Sequence, residues 1–473
     1  YLGHMKILTK SGYTPIIEAP EFGEVWTGSA WKPYKRLDRG EAQLADIYLS
    51  NGHIHHCDVR HKLLTETADG YEFKHYSDLQ PGDKVCLSLA QPKEFGDSPV
   101  STKEAYWMGF AIGNGCTRQR NLLAVTFGDR KGRYNRIDKS NEFREFVHGT
   151  GFQDRNDFVK SGCLTVNVES KELRERWEEL GYPWGCLARD KSIPTCIWTA
   201  NLEARKQFLI GLLDADGTVG SRRSAANLHM ASRELLQQAQ LLFRTVGVTS
   251  TLMRTTATSW RLCLNSMQAS QELAYGMCGG TKLIISDEHV PAFLVRKFIE
   301  LCPKWPSADR SGYTLHSRMK SGGYTNVYTF LDMAKRAGVD LGTPVYSTSR
   351  VVKKVDLGTT ETTYTLSVSD PGHRFDCEGV IAKNSAVDII TSMLKPVTDW
   401  LDANTDGGQF ILQIYDSIML LVKDEDLDKT LKFLVSLMKD EQEPKVGYVS
   451  GIPLVVDVKV GKSWDSLKKV KLA

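Results

Sequence analysis

Asn384 stands directly before Ser385, and His373 lies eleven residues upstream of that Asn. Asn is the one common residue whose side-chain amide can attack its own peptide carbonyl, close a succinimide and break the chain. A hydroxyl on the following residue can carry an acyl group before the break. The stretch Gly372-His373-Arg374-Phe375-Asp376-Cys377-Glu378-Gly379-Val380-Ile381-Ala382-Lys383-Asn384-Ser385 therefore holds a cleavable bond, an acceptor and an upstream imidazole suited to proton transfer.

These residues need a rigid frame, and the pattern around them is that of short strands. Val351–Val355 and Tyr364–Val368 alternate or run apolar within the segment 346–381, and the first 94 residues read the same way. Strands are expected there at Ile16–Ala19, Glu24–Trp26, Ala45–Leu49 and Val85–Ser88. Residues 102–300 change to helical periodicity, clearest at Leu235, Leu236, Ala239, Leu242, Phe243 and Val246. Residues 301–345 are mixed and rich in Gly and Ser, and the pattern assigns them to nothing. The last 89 residues open as a helix and continue as strand–turn–strand around Gln413-Ile414-Tyr415-Asp416. The economical reading is a β-domain split by an α/β insertion and followed by a further unit.

The chain of 473 residues is long enough for two to four cores. An apolar fraction of 41% beside 25% charged residues is that of soluble globular protein, and no apolar run is long enough to span a bilayer, so no membrane partner is expected. Ten cysteines without a C-x-x-C pair fit neither a zinc site nor a disulfide framework, which points to a reducing cytoplasm. Residues 101–300 hold 27 Lys/Arg against 21 Asp/Glu, a basic balance that suits nucleic acid, whereas residues 385–473 hold 11 against 14. The opening Tyr1-Leu2-Gly3-His4-Met5-Lys6-Ile7 has neither a signal-peptide core nor an initiator Met, and a true beginning elsewhere is expected.

The segment ending at Ser385 resembles the C-terminal splice junction of an intein, and Lys6–Ile16 resembles the segment after an intein's first residue. Aligning Gly3 and Ile7 puts the expected nucleophilic Cys or Ser one position before Tyr1. Asn51–His61 resembles the family's T-x-x-H block with Asp58 in place of Thr, and Leu79–Val85 matches the turn common after that block. The resemblance implies an all-β Hint horseshoe in two parts, residues 1–94 and 346–384. His61 would then polarise or protonate the N-terminal scissile amide, Asp58 would orient it, His373 would assist, Asn384 would cyclise and Ser385 would accept the acyl group. Lys383 stands where a penultimate His is common, and Thr365 where an Asp is frequent. Singly, each His has an ordinary structural explanation; four blocks in order outweigh it. No cofactor is implied for splicing. Without the first nucleophile, at most C-terminal cleavage after Asn384 is expected of this chain.

Phe208-Leu209-Ile210-Gly211-Leu212-Leu213-Asp214-Ala215-Asp216-Gly217 is nearly a literal LAGLIDADG motif, and Trp107-Met108-Gly109-Phe110-Ala111-Ile112-Gly113-Asn114-Gly115 is an earlier copy. Gly109 and Gly113, like Gly211 and Ala215, put small residues four apart, so two such helices can approach closely. The resemblance to single-chain homing endonucleases implies an α+β domain over 95–300, with 301–345 an unassigned linker or extension. It further implies double-stranded DNA as partner, Mg²⁺ as cofactor, Asp216 as metal ligand and Lys191, in Lys191-Ser192-Ile193-Pro194, near the active centre. Asn114 stands where the first acid belongs, and an amide is a much weaker Mg²⁺ ligand than a carboxylate. Double-strand cleavage lost or reduced to nicking, with DNA binding retained, is expected, and an active site-specific endonuclease or nickase is the runner-up reading.

Residues 385–473 resemble the C-terminal α/β palm of a family A DNA polymerase of phage type. Ser385–Ile390 matches the helix after the fingers motif, Gln413–Ile418 matches motif C, and Ile452–Trp464 matches the closing strand. The resemblance implies that Asp416 binds Mg²⁺, and that these residues are a C-extein needing an N-terminal polymerase extein in cis or in trans. A polymerase fragment active only after joining that part is the third reading. The whole is expected to be a multidomain monomer of a bacterial or phage-infected cytoplasm.

Overall fold

The computed structural model describes residues 1–473 except 89–94, 97, 119–120, 129–134, 149–153, 161, 220–225, 265–289, 307–309, 323–326, 370–372, 384–385, 415–416, 438–457, 464–465 and 471–473. Short strands fill the start: β1 (Lys6–Thr9), β2 (Gly12–Pro15), β3 (Phe22–Trp26), β4 (Trp31–Leu49), β5 (Ile54–Asp58), β6 (Lys62–Glu66), β7 (Tyr71–His75) and β8 (Lys84–Leu87). Next come α1 (Thr102–Asn114), β9 (Gly115–Cys116), β10 (Leu122–Phe127), α2 (Arg136–His148), β11 (Asp154–Lys160), β12 (Cys163–Glu169) and α3 (Lys171–Glu179). A short α4 (Thr195–Trp198) leads to α5 (Leu202–Asp216), β13 (Gly217–Val219), β14 (Ala226–Met230), α6 (Arg233–Thr245), β15 (Ser250–Arg254) and β16 (Trp260–Leu264). Among the described residues the next elements are α7 (Ala292–Leu301), α8 (Arg310–Lys320) and α9 (Val327–Ala337). Strands return as β17 (Ser347–Val368), β18 (Arg374–Cys377) and β19 (Val380–Lys383). The chain closes with α10 (Ala386–Asn404), β20 (Gln409–Ile414), β21 (Ser417–Leu421), α11 (Leu427–Val435), β22 (Val458–Val460) and β23 (Lys468–Val470).

The first and last of the long strand runs share one sheet, in the order β17-β4-β3-β1-β18-β19-β8-β6-β7, with β2 on β1 and β5 on β4. The long strands β4 and β17 pair from Leu49↔Val351 to Tyr34↔Val368. Ile7, Val25, Ile47, Val85, Leu366 and Phe375, all fully buried, come from both ends of the chain and meet in one core. The insertion thus separates strands in sequence without separating them in space. The expected strand at Ile16–Ala19 is instead a turn. Pro15 ends β2, and its carbonyl accepts the Glu18 and Ala19 amides, so Ile16 reaches the core from a loop.

The insertion contains the same unit twice: helix, two strands, helix, two strands. The two four-stranded sheets run β9-β10-β12-β11 and β13-β14-β16-β15, the same order of appearance. Alternation sets their faces, with Leu123, Val125, Phe127, Val166 and Val168 buried and the residues between them half-exposed. Caps start the helices where the sequence offers them: Ser101 accepts the Glu104 amide before α1, and Asn201 accepts the Ala204 amide before α5. The α1–α5 pair is the centre of the domain. A Cβ at Gly109 would land inside the Phe208 carbonyl oxygen, and one at Gly211 inside that of Tyr106, so glycine at both positions permits backbone-to-backbone contact.

The sheet and the insertion are not independent. Leu8, Tyr13 and Trp26 belong to the core of the duplicated domain. Gln240 on α6 donates to the Asn51 carbonyl at 2.9 Å, and Arg244 on the same helix donates to the Ser88 carbonyl at 3.2 Å. The stretch 301–345, unassigned from sequence, is largely helical. α7, α8 and α9 share a core of Leu294, Phe298, Met319, Phe330 and Met333, so α7 packs with the two helices C-terminal to it. At the end of the chain, α10 and α11 stack Trp400 on Phe433 with centroids 4.4 Å apart, over the β20–β21 hairpin. Among the described residues no helix is long and apolar enough to cross a membrane.

Candidate functional site

The strand register draws several sequence-predicted residues to one end of the large sheet. His61 immediately precedes β6, and His373 immediately precedes β18. Lys62 pairs with Lys383, and Arg374 pairs with Lys383 across the β18–β19 hairpin. His61, His373 and the end of β19 therefore lie at a common edge. Asn384 and Ser385, the next two residues, lie outside the described residues. Tyr1 enters the same place: its ring centroid is 3.9 Å from that of His61 and 5.9 Å from Phe375.

Asp58 is buried at the centre of this cluster. Its Oδ2 is 2.9 Å from His61 Nδ1 and 3.4 Å from the Tyr1 nitrogen, and its Oδ1 accepts the Arg60 amide at 2.9 Å. The Tyr1 nitrogen also donates to the Tyr364 carbonyl at 2.7 Å. Burial would raise the Asp58 carboxyl, but His61 and the Tyr1 ammonium outweigh it and hold the group ionised far below the usual range. Burial together with the Tyr1 ammonium lowers His61 to about 4, against the opposing pull of Asp58. At neutral pH this imidazole is uncharged, so it can take up a proton. Among the described residues the buried His61 Nε2 has no hydrogen-bond partner. His373 adopts φ 50°, a left-handed conformation uncommon for a side chain of its kind, and its Nδ1 lies 3.0 Å from the Val368 carbonyl. Thr365, noted in the sequence as a departure, is buried in β17.

Three buried groups at this end carried no sequence signal. His55 Nε2 contacts the Tyr1 hydroxyl at 3.1 Å, and burial, with His53 and His61 nearby, keeps His55 neutral. The Tyr364 carbonyl is a backbone group, invisible to motif reading. Asp376 accepts from the Tyr13 hydroxyl at 2.9 Å and from the Gly379 amide at 2.8 Å. Burial pushes its carboxyl up to about 6 despite these bonds and nearby Arg244.

The second candidate site is the C-terminal end of the α1–α5 pair. Asn114 and Asp216 are the last residues of the two helices, and Asn114 Nδ2 donates to the Ala215 carbonyl at 3.4 Å. Lys191 donates to the Ile112 carbonyl at 2.7 Å and the Gly115 carbonyl at 2.9 Å, capping α1. Burial lowers the Lys191 ammonium, while Asp216 opposes that shift, which places the carboxylate in its field. His229 on β14 also feels Asp216. Among the described residues no group of three or more His, Cys, Asp and Glu could enclose a metal. At the paired helix ends Asp216 is a carboxylate and Asn114 an amide, so the two positions do not offer a matched pair of acids. The third candidate, Asp416, lies with Tyr415 outside the described residues, after β20 and before β21 in the sequence.

Residues 203–295 match the family model described as a LAGLIDADG-like domain. This part of the chain is therefore similar to a LAGLIDADG-like domain. Two curated proteins are similar to parts of it. The ribonucleoside-diphosphate reductase large subunit of Invertebrate iridescent virus 6 is 27% identical over 267 residues, 52% of this chain and 25% of that protein. The replication factor C small subunit of Methanocaldococcus jannaschii is 24% identical over 230 residues, 42% of this chain and 12% of that protein. The chain thus spans a quarter or less of the curated relatives it matches. Among solved structures, the homing endonuclease I-DmoI in mesophilic variants has 14% identity and a TM-score of 0.29, covering 38% of this chain and 97% of that one. I-DmoI in complex with DNA and Ca has 15% identity and a TM-score of 0.28, covering 37% and 88%. Full-length DUF199/WhiA from Thermatoga maritima has 10% identity and a TM-score of 0.29, covering 51% and 87%.

Proposed function

We propose that this chain is an intein precursor that cleaves itself at Asn384–Ser385, carries a DNA-binding endonuclease-like domain, and continues into a DNA polymerase segment. The observation that carries the reading is the convergence of Tyr1, Asp58, His61, His373 and the end of β19 at one edge of a sheet built from both ends of the chain. A residue bonded to the Tyr1 nitrogen would have its Cα about 3.8 Å from Tyr1 Cα, beside Asp58 and His61. The two curated relatives support an inserted element: about half of this chain is similar to a small share of two proteins whose names describe unrelated activities.

Each side chain then has a task set by its surroundings. Asp58, 2.9 Å from His61 Nδ1, orients this buried imidazole, which can exchange a proton with the amide at the start of the segment. His373 is held through its Nδ1 contact with the Val368 carbonyl. In the proposed order, a nucleophile ahead of Tyr1 takes the upstream acyl group, Ser385 receives it, and the Asn384 amide attacks its own carbonyl. The Asn384–Ser385 bond breaks with succinimide formation, and an O-to-N acyl shift joins the flanks. The polymerase reading of 385–473, with Asp416 as ligand and an N-terminal polymerase segment as partner in cis or in trans, rests on the motif resemblance.

The DNA-binding domain keeps Asp216 and Lys191 and carries Asn114 as its second helix-end residue. Mg²⁺ bound at Asp216 would supply Lewis-acid stabilisation of a phosphate. With one carboxylate, the domain binds double-stranded DNA and nicks it at most. The test of the splicing reading extends the chain by a short tag and a Cys ahead of Tyr1. Ligation of the tag to residues 385–473, lost in Asn384→Ala, supports the reading; an unligated tag with an intact chain counts against it.

A further inference from the structure

The unit formed by α7, α8 and α9 plays no part in either site above, yet its surface is built asymmetrically. Residues 290–345 hold eight Lys/Arg against four Asp/Glu. α8 turns Gly312, His316 and Met319 inward, and His316 Nε2 lies 2.7 Å from the Cys302 carbonyl at the end of α7. Its outward side exposes Tyr313 (64%), Thr314, Ser317 and Arg318, two adjacent rows at four-residue spacing, and Lys320 is exposed at the flank. There is no acid on this helix. Neither Arg318 nor Lys320 meets a carboxylate among the described residues, and Lys320 Nζ lies 3.5 Å from the Pro303 carbonyl. Cations without a carboxylate partner among the described residues, beside hydroxyls and an exposed aromatic, make a surface complementary to a polyanion with hydrogen-bonding edges.

We propose that the outward face of α8 is a second double-stranded DNA contact, lying in a major groove beside the footprint of the LAGLIDADG-like domain. The inference rests on the reading that this domain binds DNA. Eleven helical residues span about 16 Å, and a major groove about 12 Å wide admits such a helix. Covalent continuity favours duplex DNA over other polyanions, because the family match runs to residue 295, inside α7. The unit is also seated. The Ala292 amide donates to Glu66 at 3.1 Å, and Phe293 packs edge-on against Tyr71 at 4.9 Å, which fixes α7 on the β6–β7 hairpin.

The test measures binding of the full chain, with Asn384→Ala to prevent processing, to a mixed-sequence duplex of about 40 base pairs at salt from about 50 to 200 mM. Arg318→Gln with Lys320→Gln should lower the slope of log affinity against log salt by about 2, at roughly 0.9 per phosphate contact. Ser317→Glu, which puts an anion on the same face, should weaken binding independently. Lys423→Gln with Lys462→Gln removes the same charge from the C-terminal segment and should leave the slope unchanged. A duplex-binding chain whose slope is insensitive to the α8 changes overturns this inference alone, as does equal loss in the control pair. Failure of the unaltered chain to bind any duplex overturns both this inference and the DNA-binding reading. Loss of affinity for polyglutamate with the duplex slope intact would identify an acidic protein partner and also overturn it.

Discussion

Asp376→Asn should stabilise the seam between sheet and insertion more at high pH than at low pH. The wild-type carboxyl is fully buried near the β18–β19 turn, with Oδ1 accepting from Tyr13 and Gly379 and the Ser88 side chain nearby. Burial raises it from 3.8 to about 6. A raised acid favours the folded state fully below the unfolded pKa and loses that contribution as pH rises through the folded one. Two pKa units correspond to about 3 kcal/mol in total, of which roughly 1 to 2 kcal/mol falls between about pH 5 and pH 8. Asn can accept the same two hydrogen bonds and does not ionise. Hydrogen exchange of β18 and β19 peptides, corrected for intrinsic rates, reads the local opening free energy in both proteins. The difference between variant and wild type should move in favour of Asn by that amount from pH 5 to pH 8. A pH-independent difference, or one favouring the wild type as pH rises, would refute the reasoning.

Gly211→Ala places a methyl against the Tyr106 carbonyl and should cost about 1 to 3 kcal/mol or more, seen as a lower midpoint of thermal unfolding; unchanged stability would contradict the helix contact. Asp216→Ala should abolish any Mg²⁺-dependent nicking of supercoiled plasmid. Asn114→Asp should shift the product from nicked toward linear DNA, and an unchanged product would contradict the one-carboxylate account. Excision of residues 101–289 should impair processing, because Gln240 and Arg244 hold the Asn51 and Ser88 carbonyls; full activity in the shortened chain would show those contacts to be dispensable.

The parts of the fold legible in the sequence were those with a local signature. Small residues at 109, 113, 211 and 215 foretold the close helix pair, and the period of Leu235–Val246 foretold α6, which ends one residue short of that run. The turn at Ile16–Ala19 read as a strand because apolar Ile16 and Ala19 bury as a strand residue would; Pro15 decides against it. The helices of 301–345 were hidden by Gly312, Gly322 and Gly338, which punctuate the segment, while their core residues are spread over three elements. In the candidate splicing centre, motif order gave Asp58, His61 and His373. His55 and the Tyr364 carbonyl reach Tyr1 across 54 and 363 residues, which no local pattern encodes. Asp376 looked like any acid beside a turn, and its shift arises only from burial under α6.

The central claim is self-processing at Asn384–Ser385, and intact mass over time on the purified full chain, beside Asn384→Ala, tests it most directly. The account predicts a fragment beginning at Ser385 that accumulates in the parent chain and never forms in the variant. Fragments that form equally in both chains would contradict it. So would a full-length mass that stays constant even after a Cys and a short upstream segment are supplied ahead of Tyr1.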